Sequence, residues 1–205
     1  MLQCALTYPG EVSSPDGEAQ QRRYQVRFDW GETGARRIAS GAHVVVVADE
    51  LDGHGQASAA QLAAAVAEAS GPAAAVFSVT EACADDAAAR ILALQASLGD
   101  RAVVAIVAAG SLDDDGFRAP VEDLLAAGAV VDALATQGID FASPEAAAAC
   151  AAFVGLRRAT AHLSTSTVSA AHAWPAGGNG DARAQRDAHP AVVSVLREYA
   201  GGLLG

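Results

Sequence analysis

Lysine is absent from this chain, and all thirteen basic residues are arginine. That excludes a Schiff-base lysine, a P-loop lysine and a lysine general base. Cysteine is sparse. Cys4, Cys83 and Cys150 match no zinc spacing and are odd in number, so small buried thiols in a cytoplasmic chain are expected. The five histidines are scattered with no His-x-x-x-His pair, which argues against a zinc site. Gly53-His54-Gly55 lacks the third glycine of a dinucleotide fingerprint. No apolar run approaches the roughly 20 residues that cross a bilayer. No basic segment followed by an apolar one marks a secretory signal at the N-terminus. Positive charge is also scarce. The net charge is −11 and the pI is about 4.7. Such a field repels a phosphate-rich polymer, so nucleic acid is not an expected partner.

What is present is apolar and small. The chain is 52% hydrophobic but only 5% aromatic, and much of the remainder is alanine. Small side chains suit helices packed closely on a sheet. The length of 205 residues accommodates one substantial domain, and we find no repeat or linker to divide residues 1–205.

Four consecutive valines at 44–47 have no period-two alternation, as in a strand buried on both faces. Residues 101–109 carry a second such run, and Ala73–Val79 a shorter one. A strand is also expected over Arg23–Trp30 and a further short one within residues 1–12. Helical spacing marks 57–70, the stretch from Thr80 to Gly99, and 120–137. Ser143-Pro144-Glu145 is an N-cap, a proline at N1 and an acid in the first turn, which starts another helix through Val154. Shorter helices are expected at Ala35–Ser40 and Ala159–Ser164, and loops at 13–21 and 175–181. The acidic stretch 111–116 reads as a solvated turn. Strands alternating with helices predict an α/β domain of three layers, α/β/α, around a largely buried sheet.

The chemistry-bearing positions lie at strand and helix ends. Asp49 closes the valine strand, and ligands of open α/β sheets bind outside the carboxyl ends of strands. It is a candidate metal or phosphate-site residue, or else a cap for the next helix. Glu122 and Asp123 open a helix, where the dipole favours acids whether or not they bind anything. Neighbours on a helix point about 100° apart, so one can face a site while the other is solvated. Arg27 is a candidate clamp for an oxyanion, or a surface arginine.

Three blocks of sequence carry a resemblance. They are Val26-Arg27-Phe28-Asp29-Trp30-Gly31 with Gly34-Ala35, the valine strand ending in Asp49, and a dense third block. The third runs Val107-Ala108-Ala109-Gly110, Asp115-Gly116-Phe117-Arg118, then Val121 to Ala129. Leu134, Ser143 to Ala146 and Ala151-Ala152-Phe153 follow in order. This arrangement resembles the 2-phosphosulfolactate phosphatases, the ComB family, across most of residues 24–200. The resemblance implies a three-layer α/β/α domain and a Mg2+-dependent phosphatase. Its substrate would be a small anionic phosphate ester such as 2-phosphosulfolactate, released as sulfolactate and phosphate. It implies Asp49 and Arg27 as catalytic residues and Asp49, Glu122 and Asp123 as metal ligands.

The chain departs from the family's pattern just after Asp49. Hydroxyl side chains that would hold phosphate are replaced by Glu50-Leu51-Asp52-Gly53-His54-Gly55-Gln56. Two added carboxylates would repel a dianionic ester. The second reading is therefore a catalytically degenerate relative that keeps the scaffold for binding or interaction. A homodimer stays open under both readings.

Overall fold

The structure is a computed structural model that describes residues 21–51, 59–113, 116–173 and 193–200. Expected features in residues 1–20, in 52–58 and at 175–181 lie outside the described residues. The chain forms β1 (Val26–Trp30), α1 (Gly31–Ile38), β2 (Val44–Ala48), α2 (Ala59–Ser70) and β3 (Ala75–Val79). A 3-10 turn at Glu81–Cys83 leads into α3 (Ala84–Leu98) and β4 (Val104–Ala108). Next come β5 (Ser111–Asp113), β6 (Gly116–Arg118), α4 (Val121–Thr136), α5 (Pro144–Leu156), α6 (Thr160–Ser164), α7 (Val168–Ala173) and β7 (Ser194–Arg197).

The main sheet has the order β1-β4-β2-β3-β7. Its first four strands are parallel, and β7 joins β3 antiparallel at the edge. Beyond β1, Val26 makes an isolated parallel bridge with Ala142. The valine run and the 104–108 run are neighbours, paired Val44 with Val104 through Ala48 with Ala108, and every residue in both is buried. The absence of alternation has a direct cause. Val44, Val46 and Ala48 face one apolar cluster while Val45 and Val47 face the other. Both faces are covered, so neither parity can be polar.

On one face, Ala35 and Ile38 of α1 and Leu62 and Val66 of α2 pack on the sheet. On the other lie Ala87 and Ile91 of α3 and Ala126, Val130 and Leu134 of α4. With α5 against α4, this is a three-layer α/β/α fold. The helices after β1 and β2 lie on one face, and the helix after β4 lies on the other. The connection leaving β4 thus diverges from those of both its neighbours. That divergence opens a crevice at the carboxyl ends of these strands, where α/β sheets bind ligands.

Two expectations need correction. Helix α1 begins at Gly31 and ends at Ile38 rather than running over Ala35–Ser40. The glycines at 31 and 34 read as punctuation, yet Gly34 lies within the helix because a Cβ there would press on Asp29. The ends of the acidic stretch are not a turn: Ser111–Asp113 and Gly116–Arg118 pair as antiparallel strands, with Ser111 opposite Arg118 and Asp113 opposite Gly116. The Asp113 charge is met within this pair of strands, since Arg118 Nε lies 2.7 Å from Asp113 Oδ2. No helix among the described residues is long and apolar enough to cross a membrane.

Candidate functional site

Two carboxylates from distant parts of the chain, Asp49 and Asp123, come together at the carboxyl end of the sheet, and Glu122 precedes Asp123 in the first turn of α4. Asp49 follows β2 directly, and its amide completes the ladder by donating to Val79 O at 3.0 Å. Its Oδ1 accepts from Leu51 N at 3.2 Å, which folds the chain back in a tight turn. Asp123 arrives from the first turn of α4. Its Oδ1 accepts from Glu50 N at 3.1 Å and its Oδ2 from Gly110 N at 3.0 Å. One carboxylate therefore ties the segment after β2 to the segment after β4. Glu50 makes a further tie, its Oε2 accepting from Glu81 N at 2.7 Å.

The cluster is dry. Exposure is 8% at Asp49, 3% at Asp123 and 1% at Glu122. Burial pushes Asp123 well above the ordinary aspartate range, and the nearby Asp49 charge pushes it further. The amides of Glu50 and Gly110 pull it back only in part, and Glu122 adds to the rise. Neither of the first-turn acids is solvated, contrary to expectation. Helix α4 is covered by the sheet, α3 and α5, so its first turn lies inside the molecule.

Glu122 is the unusual member. Both its carboxylate oxygens are buried with no hydrogen-bond partner among the described residues. A buried polar group in that state costs free energy unless something else meets it. Asp123, by contrast, has given both oxygens to amides. Among the described residues, no three His, Cys, Asp or Glu side chains are gathered to hold a metal ion. Magnesium asks less, since one or two carboxylates with waters and a substrate phosphate suffice. Glu122 and Asp49 are the residues that would hold such an ion, while Asp123 ties the segments after β2 and β4 together.

Arg27 is not brought to this site. It is 5% exposed, and its guanidinium donates to four backbone carbonyls. These are Tyr24 O at 3.3 Å, Ile38 O at 3.0 Å, Ser40 O at 3.0 Å and Arg22 O at 3.1 Å. Desolvation and the Arg22 charge lower its pKa. It is neither a surface arginine nor an anion clamp but a fastener between the start of β1 and the end of α1.

Three contributors were not foreseen as parts of the site. Gly110 supplies an amide, Glu50 links to the 3-10 turn, and Phe117 leans over the strand ends beside Trp30. A signal for Gly110 and Phe117 exists, because an aromatic residue among closely spaced glycines is conspicuous in a chain with so few aromatics. Compared with family models, curated proteins and solved structures, the chain shows no significant match to any of them.

Proposed function

We propose that the chain hydrolyses a small acidic phosphate monoester at the carboxyl end of its sheet, with Glu122 and Asp49 holding a magnesium ion. The observation that carries this is the Glu122 carboxylate, 1% exposed and with both oxygens lacking a hydrogen-bond partner among the described residues. A hard cation is the partner such oxygens accept most readily. Magnesium bound there would neutralise charge on the phosphoryl oxygens. With the chain at −11, an anionic ester needs such a local positive charge to approach.

The residues then divide the work. Asp49, held by the Leu51 amide, is the general base. It takes a proton from water as the water oxygen bonds to phosphorus. The bond from phosphorus to the ester oxygen breaks, and the departing alcohol takes its proton from solvent. Asp123 positions the loops after β2 and β4 through its two amides. The resemblance to 2-phosphosulfolactate phosphatases supports the same reading and makes 2-phosphosulfolactate the first substrate to try.

A second reading is a degenerate scaffold that binds without turnover. It is favoured by the engagement of Asp123 and Arg27 with backbone groups, which makes two of the four expected site residues part of the framework. Phosphate release from 2-phosphosulfolactate, measured with and without magnesium, separates the two. The catalytic reading expects release that depends on magnesium and falls about 10²–10³-fold in Asp49→Asn and Glu122→Gln. Release at background level in all three proteins, with or without magnesium, favours the scaffold reading.

A further inference from the structure

A cleft of about 680 Å3 opens over the ends of β1 and β4, beside the carboxylates. Sites for small molecules commonly enclose about 300–1,000 Å3. Its floor is made by the Phe117 ring resting on two glycines. Gly110 has φ +76°, and a Cβ there would collide with that ring. A Cβ on Gly31 would lie 3.0 Å from the same ring. Trp30 meets Phe117 edge to face, with centroids 6.3 Å apart and planes at 71°. Leu62 of α2 and Leu112 of β5 complete the apolar walls.

Two of these side chains are exposed despite lying in a concavity. Phe117 is 50% exposed and Leu112 44%. Apolar surface left open inside a cleft marks a binding site more often than a bare patch does. The charged groups that line it are Asp29, Glu32 and Arg37, and Glu32 is paired with Arg36 outside the cleft. Arg37 meets Asp29 through Nε at 2.7 Å and Nη2 at 2.8 Å. Its Nη1 has no hydrogen-bond partner among the described residues, and the Arg37 side chain is 42% exposed, which leaves part of the guanidinium open to a ligand. The hydrogen bonds to Asp29 raise the pKa of Arg37, so the fork is a standing charge. A multiply charged anion finds little attraction here, whereas a flat apolar body with a single acceptor group finds both surfaces it needs.

We propose that this cleft binds a flat, ring-bearing small molecule with one acidic or carbonyl group, its ring against Phe117 and Trp30 and its oxygen on Arg37. The proposal goes beyond the hydrolytic reading and does not depend on it. The two features adjoin, because Gly110 lines the cleft while its amide holds Asp123.

Benzoate is a suitable probe, with acetate as the ring-free comparison and benzyl alcohol as the uncharged one. The chain has two tryptophans, so a full-length Trp174→Phe background leaves Trp30 as the only tryptophan reporter. The expected result is a saturable change in Trp30 emission with benzoate, at an affinity at least about tenfold above acetate. Phe117→Leu keeps an apolar side chain over the glycines but removes the ring, and should weaken benzoate roughly fivefold. Leu112→Ala reads the same wall if that variant melts early by circular dichroism. Arg37→Gln should bring benzoate down to the level of benzyl alcohol. Asp49→Asn should bind benzoate as the parent does, which separates this cleft from the hydrolytic site. No saturable response, equal binding of acetate, or folded Phe117 and Arg37 variants that bind unchanged would overturn the proposal.

Discussion

Arg27 spends its guanidinium on the backbone, and this decides what a substitution there does. Four carbonyls accept from it inside the molecule. Arg27→Met would leave them without those donors, at a net cost of about 2–4 kcal/mol, since bonds to charged groups are among the stronger ones. Urea denaturation checks this, and phosphate release per folded molecule should not change. Its position could have warned against a catalytic role. Arg27 is second in β1, three residues before Trp30, and strand rise of about 3.3 Å per residue puts it roughly 10 Å below the carboxyl end. Asp49, Glu122 and Asp123 were legible for the complementary reason. They sit where a buried strand ends or a helix begins, and those boundaries are written in the hydrophobic pattern. What the pattern could not convey is which oxygens would meet amides and which would be left alone, because that depends on how loops 73 residues apart come together.

At the scale of elements, α4 packs against α5, and Gly128 permits their close approach. A Cβ there would collide with the carbonyl of Ala149 and press on Phe153 Cβ at 2.8 Å. Backbone cannot step aside cheaply, so Gly128→Ala should destabilise by about 1–3 kcal/mol. Gly155, within α5, has nothing within 4 Å of where an added methyl would sit and serves as the control. Gly155→Ala should stabilise by about 0.5–1 kcal/mol through helix propensity alone. Thermal melts of both proteins test the opposite signs. The parallel strands and long helices were readable because continuous β-branched runs and capped apolar spacing are local signals. The β5–β6 pairing was not, because its acids resemble a solvated turn until Arg118 is seen beside Asp113. The start of α1 was hidden by two glycines, of which Gly31, at φ +58°, turns the chain into the helix while Gly34 packs within it against Asp29. The edge strand β7 is short and largely exposed, so no buried run announced it.

For the whole molecule, the joining of two strand ends by one buried carboxyl makes stability depend on pH. Asp123 titrates well above the ordinary value of 3.8, chiefly through burial and the adjacent Asp49. The folded chain therefore holds a proton that the unfolded chain has already released. Stability is then fully present below about pH 4 and is lost as pH rises toward the elevated folded value. In chelator, the urea midpoint should fall across that window. In Asp123→Asn the decline should be smaller, because the titrating group is gone, although one amide then loses its best acceptor and the variant starts lower. A parent and variant with parallel profiles would refute the role of Asp123. Magnesium adds a second arm to the same titration. An ion that binds only the folded chain stabilises it by mass action. The parent's midpoint at neutral pH should rise with added magnesium, and Glu122→Gln should abolish that rise. A midpoint that ignores magnesium in the parent would remove the metal from the hydrolytic reading while leaving the pH profile, and Asp123 as the tie between β2 and β4, as they stand.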